Sequence, residues 1–130
     1  MVKKNKLQIF NDRRVRTVWD DETETWYFSI VDVVGVLTDS KDPKQYIKKM
    51  KARDPELNAN WGTICTLLPL EGLDGKKHPA MTSDVKGIFR LIQSIPSPKA
   101  EPFKQWMAQV ASNRIDQMQD PELSIEQAVA

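Results

Sequence analysis

The residues with the clearest chemical potential are the positive charges of two short stretches. Residues 41–53 hold six lysines and arginines against a single acid, Asp42. If this stretch is helical, Lys44, Lys48 and Lys51 are spaced four and three residues apart and lie on one outward stripe. Such a stripe can bind the phosphates of a nucleic acid, or it can simply keep a surface helix solvated.

The second basic stretch lies at the start of the chain, where residues 1–19 hold six lysines and arginines against Asp12 alone. In "RRVRTVWD" the charged Arg14 and Arg16 alternate with less polar residues, as on a strand with one buried face. Together with Arg13, they could contact the phosphate backbone beside a basic helix. The net charge of +1 hides this arrangement, because acidic residues are concentrated elsewhere in the chain.

Few residues are suited to catalysis. The single histidine, His78, follows two lysines and precedes a proline, which is typical of a solvated surface residue. The single cysteine, Cys65, excludes an internal disulfide, and its apolar surroundings favour buried packing over a reactive thiol. The acidic run at 20–24 is more typical of a polar hairpin loop than of a cation site. We therefore expect no enzymatic activity, no metal and no cofactor.

The elements that must position the charges begin with a sheet. The stretches "LQIF", "RRVRTVWD" and "TWYFS" have the alternation of three antiparallel strands. Further along, "TICTLLPL" and "KKHPAMT" predict a second hairpin, because the intervening "EGLDG" contains the strong turn signal Asp74-Gly75. The stretch "DPELNANWG" before that hairpin is expected to be turn-rich.

Two helices follow the first three strands. Ser29 is a suitable N-cap for "IVDVVGVLT", and Pro43 suits the first turn of the basic helix "KQYIKKMKAR". With the polar turn between them, these helices have the outline of a helix-turn-helix, whose second helix enters the major groove of DNA. The residues expected to contact DNA are Lys44, Gln45 and Lys48 at the base edges, with Lys51 and Arg53 nearer the phosphates.

Two more helices are predicted by the apolar stripes of residues 85–95 and 103–118. Pro96 ends the first helix. The segment "SIPSPKAEPFKQW" is short and has apolar helical stripes directly on both sides, which is not typical of a flexible linker. We expect a rigid joint, with Pro98 or Pro102 starting the second helix. The expected fold class is α+β, with small antiparallel sheets or hairpins packed with about four helices, including a helix-turn-helix-like pair.

The chain is about one domain long. We expect residues 1–119 to form a single domain and residues 120–130 to begin a truncated C-terminal segment, through which the protein could form homo-oligomers. No apolar run approaches the ~20 residues needed to span a bilayer, and no secretory signal is present. A cytoplasmic location without membrane contact is therefore expected.

Two long stretches resemble a known family. "FNDRRVRTVWDDETETWYFSIVDVVGVLTDS" resembles the start of the Bro family N-terminal domain of viral and prophage antirepressors, and "DVKGIFRLIQSIPSPKAEPFKQW" resembles its close. Within that superfamily, "WYFSIVDVVGVLT", "FRLIQSIPSPKAEPFKQWMAQV" and "RIDQMQDPEL" are most similar to the bacterial DNA-damage-inducible protein D group. The resemblance covers about residues 7–123.

The resemblance implies an α+β, DNA-binding domain of a bacterial regulator associated with a prophage or with the DNA-damage response. Phage antirepressors tend to continue with a proline and a basic stretch, whereas "ASNRIDQMQDPEL" is acidic and departs from that phage-type pattern. DNA is the expected partner. The alternative is a protein-interaction module that acts on a repressor or a DNA-repair protein without binding DNA.

Overall fold

The computed structural model of the chain describes residues 3–112, and the side chains from Asn5 onward. The expected domain boundary at residue 119 and the expected segment 120–130 lie outside the described residues. The elements in chain order are β1 (Lys3–Phe10), β2 (Arg13–Asp20), β3 (Thr25–Ser29), α1 (Ile30–Thr38), α2 (Pro43–Arg53), α3 (Pro55–Ala59), α4 (Trp61–Ile64), β4 (Thr66–Glu71), β5 (Lys77–Ser83), α5 (Val85–Gln93) and α6 (Ala100–Ser112). The predicted α+β class is confirmed.

The strands form one antiparallel sheet in the order β1-β2-β3-β5-β4. The two predicted hairpins are joined by a short pairing of β3 with β5, in which Phe28 lies opposite Ser83 and Ser29 opposite Thr82. These four residues are buried, and the Ser83 hydroxyl donates to the carbonyl of Ile64. The sequence pattern predicted the hairpins, but it held no signal for this pairing between distant segments.

The sheet curls until its two edge strands approach each other. The side-chain amide of Asn5 on β1 donates to the carbonyl of Pro69 on β4 at 3.4 Å. Its oxygen accepts from the backbone N–H of Glu71 at 3.2 Å. This is the bonding that a residue of a parallel neighbouring strand would make around Leu70. Asn5 therefore takes the place of a peptide group and bridges the two edges.

The core lies between the curled sheet and the helices, and aromatic rings fill much of it. Phe10 on β1 contacts Phe103 and Trp106 on α6, with ring centroids 5.1 and 5.5 Å apart. Trp19 and Trp26 form a cross-strand pair, with centroids 5.2 Å apart. The long, aromatic stripe of the last helix was therefore correctly expected to pack, since Phe103 and Met107 are completely buried.

The stretch expected to be turn-rich contains two short helices instead. Asp54 begins α3, because its carboxylate accepts from the backbone N–H of Leu57 and Pro55 supplies the preset first helical position. Leu57 is completely buried and attaches this helix to the core. The expectation of a turn-rich stretch was wrong here, because Asp54 and Pro55 begin a helix instead.

The proline-rich joint behaves as expected. Helix α5 ends at Gln93 before Pro96, and α6 begins at Ala100, so Pro102 falls in the first turn of α6 and Pro98 precedes it. Within the joint, the hydroxyl of Ser97 donates to the carbonyl of Leu37 at the end of α1, at 2.7 Å. The joint is thus bonded to the helix that precedes the basic helix.

Replacement of Gly87 by alanine is expected to destabilise the protein by about 2 kcal/mol. A Cβ atom at this position in α5 would overlap the hydroxyl of Ser83, which must then leave the carbonyl of Ile64. Urea unfolding of Gly87→Ala measures the loss. Gly62→Ala is the matched control, because a Cβ atom there meets nothing within 4 Å, and equal losses in both variants would contradict the clash.

Candidate nucleic-acid interface

The basic helix α2 begins and packs as its sequence predicts. The carboxylate of Asp42 accepts from the backbone N–H of Gln45, and Pro43 occupies the first helical position. Ile47 and Met50 are buried and fix which side of the helix faces the core. Because α2 has five basic residues and no acidic one, its exposed side has a single sign of charge.

The cations of α2 are more widely distributed than one stripe. Lys44, Gln45, Lys48 and Lys49 are all exposed. Lys49 was not singled out from the sequence, although its spacing of four residues from Gln45 and from Arg53 could have indicated it. Among residues 3–112, the five cations of this helix form no salt bridge with any acid.

Two of these cations lie over aromatic rings at the borders of the exposed side. The amino group of Lys51 is 4.7 Å from the centroid of the half-buried Trp61. The guanidinium carbon of Arg53 is 5.9 Å from the centroid of Tyr46. Such cation–π contacts hold the long side chains in place. Trp61 therefore lies beneath the basic surface and contacts one of its cations.

Helix α1 holds α2 at close range. The chain turns at Asp39, which has a left-handed backbone (φ 56°) and donates its N–H to the carbonyl of Gly35. A Cβ atom at Gly35 would lie 3.5 Å from the ring of Pro43, so the two helices approach closely where α2 begins. The turn at residues 39–42 is short and polar, as the sequence predicted.

Arg16, one of the predicted DNA contacts, is engaged with α1. Its Nε donates to Oδ2 of Asp32 at 2.8 Å, and a second guanidinium nitrogen donates to Oδ1 at 3.1 Å. Oδ2 also accepts from the backbone N–H of Arg16 at 2.9 Å. β3 pairs with β2 only from Thr17 onward. The carboxylate of Asp32 therefore accepts the backbone N–H of Arg16 just beyond the end of that strand pairing. The pair attaches the first turn of α1 to the sheet.

Arg13, another predicted contact, is exposed but also paired. It donates to a carboxylate oxygen of Asp39 at 2.8 Å and, more weakly, to the carbonyl of Gly35. Lys99, from the proline-rich joint, donates to the same carboxylate at 2.8 Å and to the carbonyl of Val36 at 3.4 Å. The last carbonyls of a helix lack partners within it and favour cations, so these contacts stabilise the end of α1.

The pKa of Asp39 is lowered from its ordinary value of 3.8, first by the hydrogen bond from Lys99 and then by that from Arg13. Because the folded pKa is the lower one, this stabilisation is complete above the ordinary value and is lost as the pH falls through the folded pKa. Asp39→Asn is therefore expected to be less stable than the wild type near pH 6, with the difference shrinking toward about pH 3.

Urea unfolding of both proteins at the two pH values measures this difference. Asparagine tolerates the left-handed backbone of position 39. Backbone strain therefore does not contribute to the difference in unfolding free energy between the two proteins. Asp54, whose pKa is also lowered, first by the hydrogen bond from the backbone of Leu57, is present in both proteins and cancels. A stability difference that does not change with pH would contradict the assigned role of Asp39.

Arg14 is exposed and, among the described residues, has no acidic partner. It lies on the wall of a groove of about 550 Å³ between β1 and the turn after β4. A smaller groove of about 310 Å³ adjoins it, with Lys44 of α2 on its wall. Arg14 and Lys44 therefore line two neighbouring parts of one depression.

His78 and Cys65 differ in part from the expectations. His78 is exposed, as predicted, but its Nε2 lies 2.9 Å from a carboxylate oxygen of Asp74 in the same hairpin. Cys65 is half-buried just before β4, and its burial raises the pKa of the thiol.

None of the helices within residues 3–112 has the length and apolar character needed to cross a membrane.

Within the described residues, the fold and the surface together define a class, namely small α+β domains that expose a basic helix whose cations have no acidic partner there. Comparison with family models then places the chain more closely. Residues 14–112, most of the sequence, match the family described as BRO family, N-terminal domain, and the chain belongs to this family. The family is generally a DNA-binding domain of prophage antirepressor-like regulators. No curated protein and no solved structure matches the chain.

Proposed function

We propose that this domain binds DNA through the exposed side of α2, as part of a regulatory protein. The observation that supports this proposal most is the set of five cations on α2 that have no acidic partner within the described residues. Acids four residues from the bases would stabilise a solvated helix through ion pairs, and α2 contains no acid. Unpaired cations on one rigid surface instead suit a polyanion.

Within this proposal, α1 and α2 act as the helix-turn-helix pair. The exposed Lys44, Gln45 and Lys48 in the first two turns of α2 would reach base edges, as the start of a recognition helix does. Lys51 and Arg53, held over aromatic rings at the borders, would contact phosphates. Lys49 is a further phosphate contact, because it is exposed on the same helix.

Arg13 and Arg16 have a supporting role in this proposal. Their ion pairs with Asp39 and Asp32 attach the two ends of α1 to β2 and thereby orient the helix pair on the sheet. A guanidinium that already bonds a carboxylate would have to give up that bond to contact a phosphate. DNA binding would therefore depend on these arginines through the position of α2.

The salt dependence of DNA binding tests the proposal. Fluorescence anisotropy with a labelled duplex is expected to show a log–log slope of about −2.7, because the three proposed phosphate contacts, Lys49, Lys51 and Arg53, each contribute about −0.9. A single-stranded probe of the same length reports whether the duplex is preferred. Absence of binding at ~50 mM salt, or a slope shallower than about −2, would contradict DNA binding through α2.

The cellular response in which this protein acts is a separate part of the proposal. The similarity of "RIDQMQDPEL" and the proline-rich joint to the DNA-damage-inducible protein D group supports a role in the bacterial DNA-damage response. In that case the amount of this protein should rise after DNA damage in the cell that encodes it. Quantitative immunoblotting before and after mitomycin treatment measures the change, and a constant level would contradict this setting.

A further inference from the structure

The exposed large hydrophobic side chains of the described residues are concentrated in one region. They are Leu7, Ile9, Leu67 and Leu73. Leu7 and Leu73 line the larger groove, Leu67 lines the smaller one, and Ile9 lies two residues from Leu7 on the same face of β1. Both grooves share Arg16 and Gly72, so they form one cleft. Apolar side chains grouped around a cleft, rather than scattered, are typical of an interaction site.

The walls of the cleft are the two edges of the sheet. β1 supplies Asn5, Lys6 and Leu7 on one side, and the end of β4 with its turn supplies Glu71, Gly72 and Leu73 on the other. Strand edges bind extended chains through their backbone groups. Asn5 already imitates such a chain at one point, where its amide bonds Pro69 and Glu71.

The charges in the cleft favour an acidic ligand. Asp32 is neutralised by Arg16, whereas Arg14 in the larger groove and Lys44 in the smaller one have no acidic partner within the described residues. Glu71 is the other acid on the walls, and it is exposed. Two unpaired cations, one in each part of an apolar cleft, match an extended segment with carboxylates beside apolar side chains.

We propose that this cleft binds an extended, acidic and apolar peptide segment of a partner protein. A nucleic acid fits the cleft less well, because its described lining contains no Phe, Tyr or Trp on which bases could stack. Its two unpaired cations are also fewer than the five of α2. The cleft shares Lys44 with α2, but Arg14 and the apolar side chains of the cleft lie outside that helix, so the cleft differs in chemistry from the proposed DNA surface.

Two labelled octapeptides test the proposal with the whole 130-residue chain. One alternates valine or leucine with glutamate, and the other has lysine in place of each glutamate. Anisotropy is expected to show binding of the acidic peptide at least about tenfold tighter than that of the basic one. Arg14→Glu should remove this preference, and Leu73→Asp should weaken binding of the acidic peptide about tenfold.

Lys86→Glu is the control for Arg14→Glu, since it makes the same charge change at an exposed position on α5. Leu73 is fully exposed at the hairpin turn, so its replacement should not disturb folding. Amide chemical-shift changes caused by the acidic peptide should be confined to the lining of the cleft, namely residues 5–7, 14–17, 29–32, 44, 67–73 and 78–81.

Three results would overturn the proposal. One is equal binding of both peptides, or binding by neither. Another is that Arg14→Glu weakens DNA binding as strongly as changes on α2, because the cleft would then belong to the DNA surface. The third is a concentration-dependent dimer in sedimentation that Leu73→Asp dissociates, because the occupant would then be a second copy of this chain.

Discussion

Conversion of Lys44, Lys48 and Lys49 to glutamate is expected to lower affinity for duplex DNA by about a hundredfold or more at 0.1 M salt. Each of these side chains is exposed and has no acidic partner among the described residues, so the change removes three of the five cations of α2 and adds three repelling charges. The log–log salt slope of the matching glutamine variant should become shallower by about 0.9, because Lys49 is the proposed phosphate contact among the three. Lys51 is left in place because its amino group lies over the ring of Trp61.

The control is the conversion of Lys76, Lys77 and Lys86 to glutamate. These lysines are also exposed and lie on the second hairpin and on α5, so the net charge changes by the same amount away from α2. Circular dichroism and thermal melting should show that both variants fold. If both variants lost affinity equally, the overall charge and not the surface of α2 would explain binding.

Replacement of Asp32 by alanine is expected to destabilise the domain by about 3 kcal/mol. The carboxylate is only 17% exposed, and it accepts three hydrogen bonds from Arg16, two from the guanidinium and one from the backbone. Removal of one partner from such a pair leaves the other charge partly buried and uncompensated. Because Asp32 lies in the first turn of α1, affinity for DNA should also fall, through misplacement of α2.

A double-mutant cycle with Arg16→Met separates the pair from the individual residues. The double variant should be distinctly more stable than the sum of the two single losses predicts, because neither charge is then left alone. Glu101→Ala, which breaks the exposed pair with Lys104, should cost less than about 1 kcal/mol and provides the reference. Additive losses in the cycle would show that Arg16 and Asp32 do not stabilise the fold as a pair.

Helices and strands were predictable wherever a clear hydrophobic periodicity was bounded by a capping residue or a helix-breaking residue. The strands Arg13–Asp20 and Thr25–Ser29 and the helix Ile30–Thr38 have the bounds that the sequence indicates. The alternation of each strand, the Ser29 cap and the break after Thr38 each lie within or directly beside the element that they specify. Local signals failed in the stretch 54–64, because Asp, Pro and Asn both form turns and cap helices.

The positive charge of the candidate site was predictable, but the sequence did not show which of its arginines form ion pairs with acids. The sequence pointed to Lys44, Gln45 and Lys48, which are exposed on α2. It did not distinguish Arg13 and Arg16, which have acidic partners, from Arg14, which has none among the described residues. Asp32 and Asp39 lie 16 and 26 residues away from those arginines, and no periodicity within one element reports such a distance.

The sequence by itself determined the α+β class, the basic helix and its inward face, because these follow from periodicity, capping and charge within single elements. Only the tertiary structure decided that β3 pairs with β5, that Asn5 bridges the two sheet edges, and that a cleft opens between them. Those features depend on side chains that meet across 60 or more residues or across separate elements, as Asn5 and Pro69 do. Such contacts form only when the whole core assembles.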